Sequence, residues 1–284
     1  DEWLSRGGQQ MIDRDLIKRA LAEDLQGGED ITSVATVSGS EKVVADFVSR
    51  KNGVVAGIEM ARAVLEEVGL TDIAVLAQDG SSVKAGEVLM TVRGDTRAIL
   101  LAERTALNFL GHLSGIATLT RTWVDAINGT ACKIRDTRKT TPGMRLLEKY
   151  AVRMGGGTNH RISLSDAALI KDNHIAAAGG VAEAFSKVRA KFPTSEIEIE
   201  VDTLDQLREV LPLKPDLVLL DNMSPAQCAE AVTIVAGATK LEASGGISLE
   251  NARAYAVTGV NFLAIGALTH SAPVFDIGLD LRAE

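Results

Sequence analysis

The chain has 284 residues, enough for one large core or two unequal ones, with 46% hydrophobic and 24% charged residues as in ordinary folded proteins. Its net charge of -8 excludes a long nucleic-acid groove or an anionic membrane surface as partner, since both demand net basic faces. No run approaches the roughly 18 apolar residues of a membrane span, the N-terminus has no apolar signal region, and Cys132 and Cys228 fit neither a disulfide framework nor a zinc site, so a reduced cytoplasmic setting is expected.

Residues 1–10 are set aside as an extension. Residues 11–25 repeat Ile12, Leu16, Ile17, Leu21 and Leu25 at helical spacing, and Gly27-Gly28 ends that helix. Strands follow at 43–48 and 54–55, a helix at 58–68, and further strands over 73–92 around the Asp79-Gly80 turn. Residues 96–113 return to a helical stripe through Ile99, Leu100, Leu107, Leu110 and Leu113. Beyond residue 130 short apolar strands alternate with helices: ACKIRD, DAALIK, EIEIEV, DLVLLD, TKLEAS and NFLAIG, with helices at 181–191, 204–210, 225–235 and 249–258. Such alternation implies parallel strands covered on both faces by crossover helices. The chain therefore divides into a mixed α/β N-terminal domain, residues 11–113, and an open parallel α/β barrel of about six or seven strands, residues 114–284. A return of the chain to the first domain at its C-terminus stays open.

Polar groups stand at the ends of the barrel strands: Asp136, Lys171, Glu200, Asp221 and Ser244, with Gly266 at the sixth. Strand C-termini of a parallel barrel open onto one rim, so these groups converge where such folds keep their active sites. Residues 133–174 hold nine Lys/Arg against four Asp/Glu, a local charge of 9 - 4 = +5 in an acidic chain. Within it, Arg135, Arg138 and Lys139 crowd one loop, a pattern suited to clamping carboxylates. Three glycines, 155–157, precede the His160-Arg161 pair. Ser244-Gly245-Gly246 and Gly266-Ala267 stand at the last two strand ends, where glycine lets backbone N–H groups approach a phosphate and the helix after Ser248 adds its positive end. Glu200 and Asp221, at consecutive strand ends, suit Mg2+, which is commonly held by one or two carboxylates plus substrate phosphates.

The ordered motifs KIRDTRKTTPGMR, GGGTNHR, ALIKDNH, EIEVD, LLDN, SGGIS and AIGALTH, together with AERTALNFLGHLSGIAT at 102–118, resemble the quinolinate phosphoribosyltransferase family over nearly the whole chain. The resemblance implies transfer of phosphoribosyl from phosphoribosyl pyrophosphate to quinolinate with loss of CO2, giving nicotinate mononucleotide for NAD biosynthesis. Matched by motif, Arg104, Arg138, His160, Arg161 and Lys171 would surround the quinolinate carboxylates. Lys139, Glu200, Asp221, Ser244, Gly245, Gly246, Gly266 and His270 would meet phosphoribosyl pyrophosphate or its Mg2+. Lys139, Lys171, Glu200 and Asp221 would carry the chemistry. A homodimer or dimer-based hexamer is implied, with Arg104 supplied by the neighbouring subunit. Two alternatives share the fold: a relative taking another pyridine carboxylate, and a non-catalytic phosphate-binding sensor, which would have replaced Lys139, Glu200 or Asp221.

Overall fold

The computed structural model describes residues 12–39 and 41–282; the expected helix start at Met11 and the residues before it lie outside that range. By internal contacts the chain forms two compact units. One runs up to Leu119 and takes in Leu146–Gly156 and the segment from Ser271 onward; the other comprises Thr120–Arg145 and Gly157–His270.

In the first unit, α1 (Arg14–Leu25) starts where the Asp13 carboxylate accepts the Leu16 N–H at 2.8 Å, and it buries Ile17 and Leu21, one turn apart. A short α2 (Ile31–Thr36), not foreseen from the sequence, is capped the same way by Asp30. Then follow β1 (Lys42–Ser49), β2 (Gly53–Val54), α3 (Ile58–Glu67), β3 (Asp72–Val75), β4 (Ser82–Val83) and β5 (Val88–Asp95). Helix α4 (Thr96–Ala126) outruns the expected end at residue 113, because buried Leu113, Ile116, Ala117, Thr120 and Trp123 continue its apolar stripe. The boundary between the units falls within it.

The second unit is built on six parallel strands, β6 (Lys133–Arg135), β7 (Ala168–Ile170), β8 (Ile197–Val201), β9 (Leu217–Asp221), β10 (Lys240–Ser244) and β11 (Phe262–Ala264). Their spatial order, β6-β11-β10-β9-β8-β7, leaves β6 and β7 as edges, so the barrel is open between its first two strands. The free edge of β6 is met by Thr158, whose N–H donates to the Ile134 carbonyl at 2.8 Å and whose carbonyl accepts the Asp136 N–H at 3.1 Å. Between the strands run α5 (Arg145–Met154), α6 (Asp172–Ala178), α7 (Val181–Lys191), α8 (Leu204–Val210), α9 (Pro225–Val235) and α10 (Leu249–Ala256), with α11 (Ala267–His270) after β11. Helices α8 and α9 begin three and four residues past the ends of their strands on reciprocal caps, Thr203 with Gln206 and Ser224 with Gln227, which fixes the strand ends against the helix starts.

Most of α5 belongs with the first unit, where the Tyr150 hydroxyl donates to Asp79 at 2.8 Å and buried Glu148 lies 2.9 Å from His112 Nε2. The chain ends there too. The Phe275 N–H donates to the Gly111 carbonyl, and β12 (Ile277–Arg282) pairs antiparallel with β1, completing a sheet of order β12-β1-β5-β3. Among the described residues no helix is long and apolar enough to cross a membrane.

Candidate active site

A cavity of about 290 Å3 lies within the second unit. Its strand-borne lining takes every second residue, Glu200 on β8, Leu219 and Asp221 on β9, Glu242 and Ser244 on β10, and Ala264 on β11, with Leu169 on β7 and Lys171 just past it. That two-residue period is the lumen face of the barrel; Ile197, Ile199 and Val201 point the other way, into the apolar layer. Thr137, Arg138, Lys139, His160 and Arg161 close the cavity from the loops.

The loop wall is cationic, and its donors are unspent. The Nε atoms of Arg138 and Arg161 are buried without a hydrogen-bond partner among the described residues, while one Arg161 terminal nitrogen is held by the Ala167 carbonyl at 2.8 Å. Burial, and then the neighbouring Arg138 charge, hold the Arg161 guanidinium below its ordinary pKa. Two half-buried guanidinium groups that repel each other and keep a buried Nε–H free have the charge and the donors that suit a dianion.

Beneath the wall the charges pair with one another, although Glu198 Oε1 and Glu242 Oε1 stay buried without a hydrogen bond. Arg135 donates to Glu242 Oε2 at 2.9 Å and to the Asn159 carbonyl, and its guanidinium stacks 4.5 Å from the Phe262 ring centroid. His160 Nε2 lies 2.7 Å from Glu198 Oε2. Fully buried Asp136 accepts the Asn159 side chain and the His160 N–H, so it shapes the 158–161 segment and lines no part of the cavity. Burial pushes the Glu198 and Glu242 carboxyls up to about 7.

On the rim, Glu200, Asp202 and Asp221 each place one carboxylate oxygen within 4.8 Å of the others. Burial raises Glu200 and Asp221, and a neighbouring acid raises each further, Asp221 for the former and Asp202 for the latter. Crowded hard oxygens that resist ionising together fit a divalent cation. His160, Glu198 and Glu242 are equally close, but Arg135 already occupies Glu242 and His160 already bonds Glu198.

The glycine strand ends sit beside these groups. Gly245 has φ +87°, and a Cβ there would stand 2.1 Å from Asn222 Oδ1, so the turn after β10 admits no side chain at that position. Gly246 also has positive φ and meets open space, and its carbonyl accepts the Asn251 side-chain amide at 3.1 Å. A Cβ on Gly266 would come within 2.9 Å of Lys139 Cδ and 3.2 Å of His270 Nε2, which brings the lysine and the histidine together across the last strand end. The Thr269 hydroxyl donates to the Lys139 carbonyl at 2.8 Å and ties the two loops.

The chain matches the N-terminal domain of quinolinate phosphoribosyl transferase over residues 30–114 and the C-terminal domain over residues 116–280. It belongs to the quinolinate phosphoribosyl transferase family. It is 54% identical over 274 residues to the nicotinate-nucleotide pyrophosphorylase [carboxylating] of Mycobacterium leprae, covering 94% of this chain and 96% of that protein. It is 42% identical to the probable enzyme of the same name from Bacillus subtilis, covering 94% of this chain and 92% of that one. The crystal structure of nicotinate-nucleotide pyrophosphorylase from Ehrlichia chaffeensis superposes with a TM-score of 0.91 at 40% identity, covering 95% of this chain and 98% of that one.

Of the residues the family resemblance singles out, Arg138, Lys139, His160, Arg161, Lys171, Glu200, Asp221 and Ser244 line one cavity. Gly266 and His270 adjoin it through Lys139, and Gly245 and Gly246 follow directly on Ser244. Arg104 lies on the exposed side of α4 in the first unit. Sequence reasoning missed Thr137, Asp202, Glu198 and Glu242. The alternation in EIEIEV was the signal available for Glu198, since a period of two in a strand covered on both faces marks the lumen.

Proposed function

We propose that this chain transfers the phosphoribosyl group of phosphoribosyl pyrophosphate to quinolinate and releases CO2 and pyrophosphate, forming nicotinate mononucleotide in the biosynthesis of NAD. The observation that carries this reading is the pair of buried, unspent guanidinium donors on Arg138 and Arg161, in one cavity with the carboxylate rim of Glu200, Asp202 and Asp221. The first suits the two carboxylates of quinolinate and the second a pyrophosphate-bound cation. The names of the relatives, carboxylating nicotinate-nucleotide pyrophosphorylases, agree with the reaction.

In this reading Arg138, Arg161 and Lys171 neutralise and orient quinolinate so that its ring nitrogen faces the anomeric carbon of the sugar. The N–C1 bond forms as the C1–O bond breaks, and the electron pair leaves with pyrophosphate. Lys139, flanked by Gly266 and His270, stabilises the charge gathering on that leaving group. The turn at 244–246 offers backbone N–H groups to the 5-phosphate. Glu200 and Asp221, with Asp202 beside them, would hold Mg2+, which would supply further neutralisation of the pyrophosphate. The alkylated ring nitrogen then draws electrons from C2, the bond to the 2-carboxylate breaks, CO2 departs, and the pair left on C2 takes a proton. His160 borders the quinolinate side, and Ser244 the phosphate side.

The assembly we infer is a homodimer or a dimer-based hexamer in which Arg104 serves the neighbour's cavity, in a cytoplasmic setting. Exposure of Arg104 on α4 supports the first point, and two free cysteines, Cys132 and Cys228, support the second. Mixing Arg104→Ala with Lys139→Ala protein should restore part of the lost activity through hybrid subunits; none after verified subunit exchange removes the shared site.

The reaction itself is tested by incubating the protein with quinolinate, phosphoribosyl pyrophosphate and Mg2+ while following CO2 and nicotinate mononucleotide together, with nicotinate as control. Both products in equal amounts from quinolinate, and none from nicotinate, are expected. Absence of product from folded protein that still binds phosphoribosyl pyrophosphate overturns the assignment.

A further inference from the structure

Both ring nitrogens of His160 are engaged by the protein. Nδ1 accepts the backbone N–H of Arg161 at 2.8 Å, so the ring proton belongs on Nε2, which faces Glu198 Oε2 at 2.7 Å. Glu242 is the other acid within reach, but its Oε1 stands off at 3.6 Å and its Oε2 is committed to Arg135. Glu198 is 4% exposed, on the lumen face of β8 below Glu200, where a rigid strand fixes its carboxylate. From the other side, Asp136 at the end of β6 takes the His160 backbone N–H at 2.7 Å. The imidazole is thus held by Glu198 of β8 at Nε2 and by the Arg161 backbone at Nδ1, while Asp136 fixes the His160 main chain.

We propose that Glu198 is the positioning residue for the quinolinate clamp. Its carboxylate selects the Nε2–H tautomer of His160; that tautomer makes Nδ1 an acceptor; and the acceptor fixes the Arg161 backbone at the point from which its guanidinium enters the cavity. His160 serves as a strut through which Glu198 acts, and the substrate contact falls to Arg161. This rests on the reading of Arg138 and Arg161 as the dicarboxylate site, and it adds a residue below the cavity that touches no substrate. The same logic governs outer partners of metal-bound histidines, where a carboxylate on one ring nitrogen sets what the other can do.

Two measurements on the full chain test it. The first is nitrogen NMR of protein labelled with 15N-histidine: with four histidines in the sequence, the His160 signals are assigned by their loss in His160→Gln. The wild-type ring is expected as the Nε2–H tautomer. A proton on Nδ1 overturns the proposal, whatever the enzyme's activity. The second is steady-state kinetics of Glu198→Gln, which keeps an acceptor oxygen, and Glu198→Leu, which keeps the volume alone. Loss of that hydrogen bond should raise the quinolinate KM about tenfold in Glu198→Leu, with kcat and the phosphoribosyl pyrophosphate KM within about twofold and Glu198→Gln close to wild type. An unchanged quinolinate KM in Glu198→Leu overturns the proposal, as does a Gln variant as impaired as the Leu one. Should Glu198→Leu not fold, the wild-type tautomer decides. Wild-type protein inactive on quinolinate would sink the functional reading and leave the tautomer measurement to judge the geometry alone.

Discussion

The wall of the cavity and the layer beneath it are both rich in charge, yet they use it in opposite ways. On the wall, Arg138 and Arg161 face each other's charge with buried Nε donors unpaired. Below, Arg135, Glu242, Glu198 and His160 pair among themselves, and none of Arg135, Glu198 and Asp136 lines the cavity. Buried charge without a partner costs free energy in the free protein and is repaid by a ligand that supplies the partner; buried charge already paired gives the fold a fixed geometry. Substitutions in the two layers should therefore separate activity from stability.

The largest contrast is expected between Arg135→Ala and Arg138→Ala. Removing Arg135 takes the hydrogen-bond partner from the Glu242 carboxyl, 0% exposed, and should cost about 1–3 kcal/mol in denaturant unfolding. Removing Arg138 relieves repulsion on Arg161, so stability should stay within about 0.5 kcal/mol of wild type while kcat/KM for quinolinate falls roughly a hundredfold. Equal losses of stability in the two variants would erase the distinction between wall and lower layer.

A pH series sharpens the same contrast. Burial raises Glu242 from its ordinary 4.5 to about 7, so the folded protein prefers the protonated carboxyl. The stability this confers is complete below about pH 4.5 and is lost as pH rises through about 7, a swing of up to about 3 kcal/mol. Glu242→Gln should flatten the decline between about pH 5 and 8 and be relatively more stable at the alkaline end. Parallel stability curves for variant and wild type would show that this carboxyl does not titrate in that window.

What the sequence discloses tracks how each residue sits in its strand. Asp221 and Ser244 close apolar runs, and a polar residue ending such a run is legible at once, as is the open parallel barrel that the strand–helix alternation implies. Glu198 and Glu242 lie inside strands that read as core, where two-sided burial hides which face looks into the lumen. Asp202 comes just after β8, in a turn whose direction depends on the Thr203 cap. Helix α5 is masked by its charge, for the stripe of Leu147, Ala151 and Val152 runs through a basic stretch that reads as a loop-borne motif. Strand β12 pairs with β1, more than two hundred positions earlier, and no local pattern announces a partner so distant.

The smallest effect belongs to the rim, where Asp221 accepts the Asn222 amide at 2.6 Å and the charges are not fully buried. Asp202 is exposed, and its charge is the second cause, after burial, of the raised Asp221 carboxyl. Because a raised carboxylate contributes stability below its ordinary pKa and loses it as pH climbs, crowding here weakens the metal-free protein as the acids ionise. Asp202→Asn should leave metal-free stability at neutral pH unchanged or up to about 1 kcal/mol higher. It should weaken Mg2+ binding by about threefold to tenfold in a calorimetric titration, since one of three converging charges is gone. Asp221→Asn, which removes a half-buried member of the cluster, should weaken it further. Mg2+ affinity untouched by either substitution would move the cation away from β8 and β9 and leave the three acids as a solvated cluster.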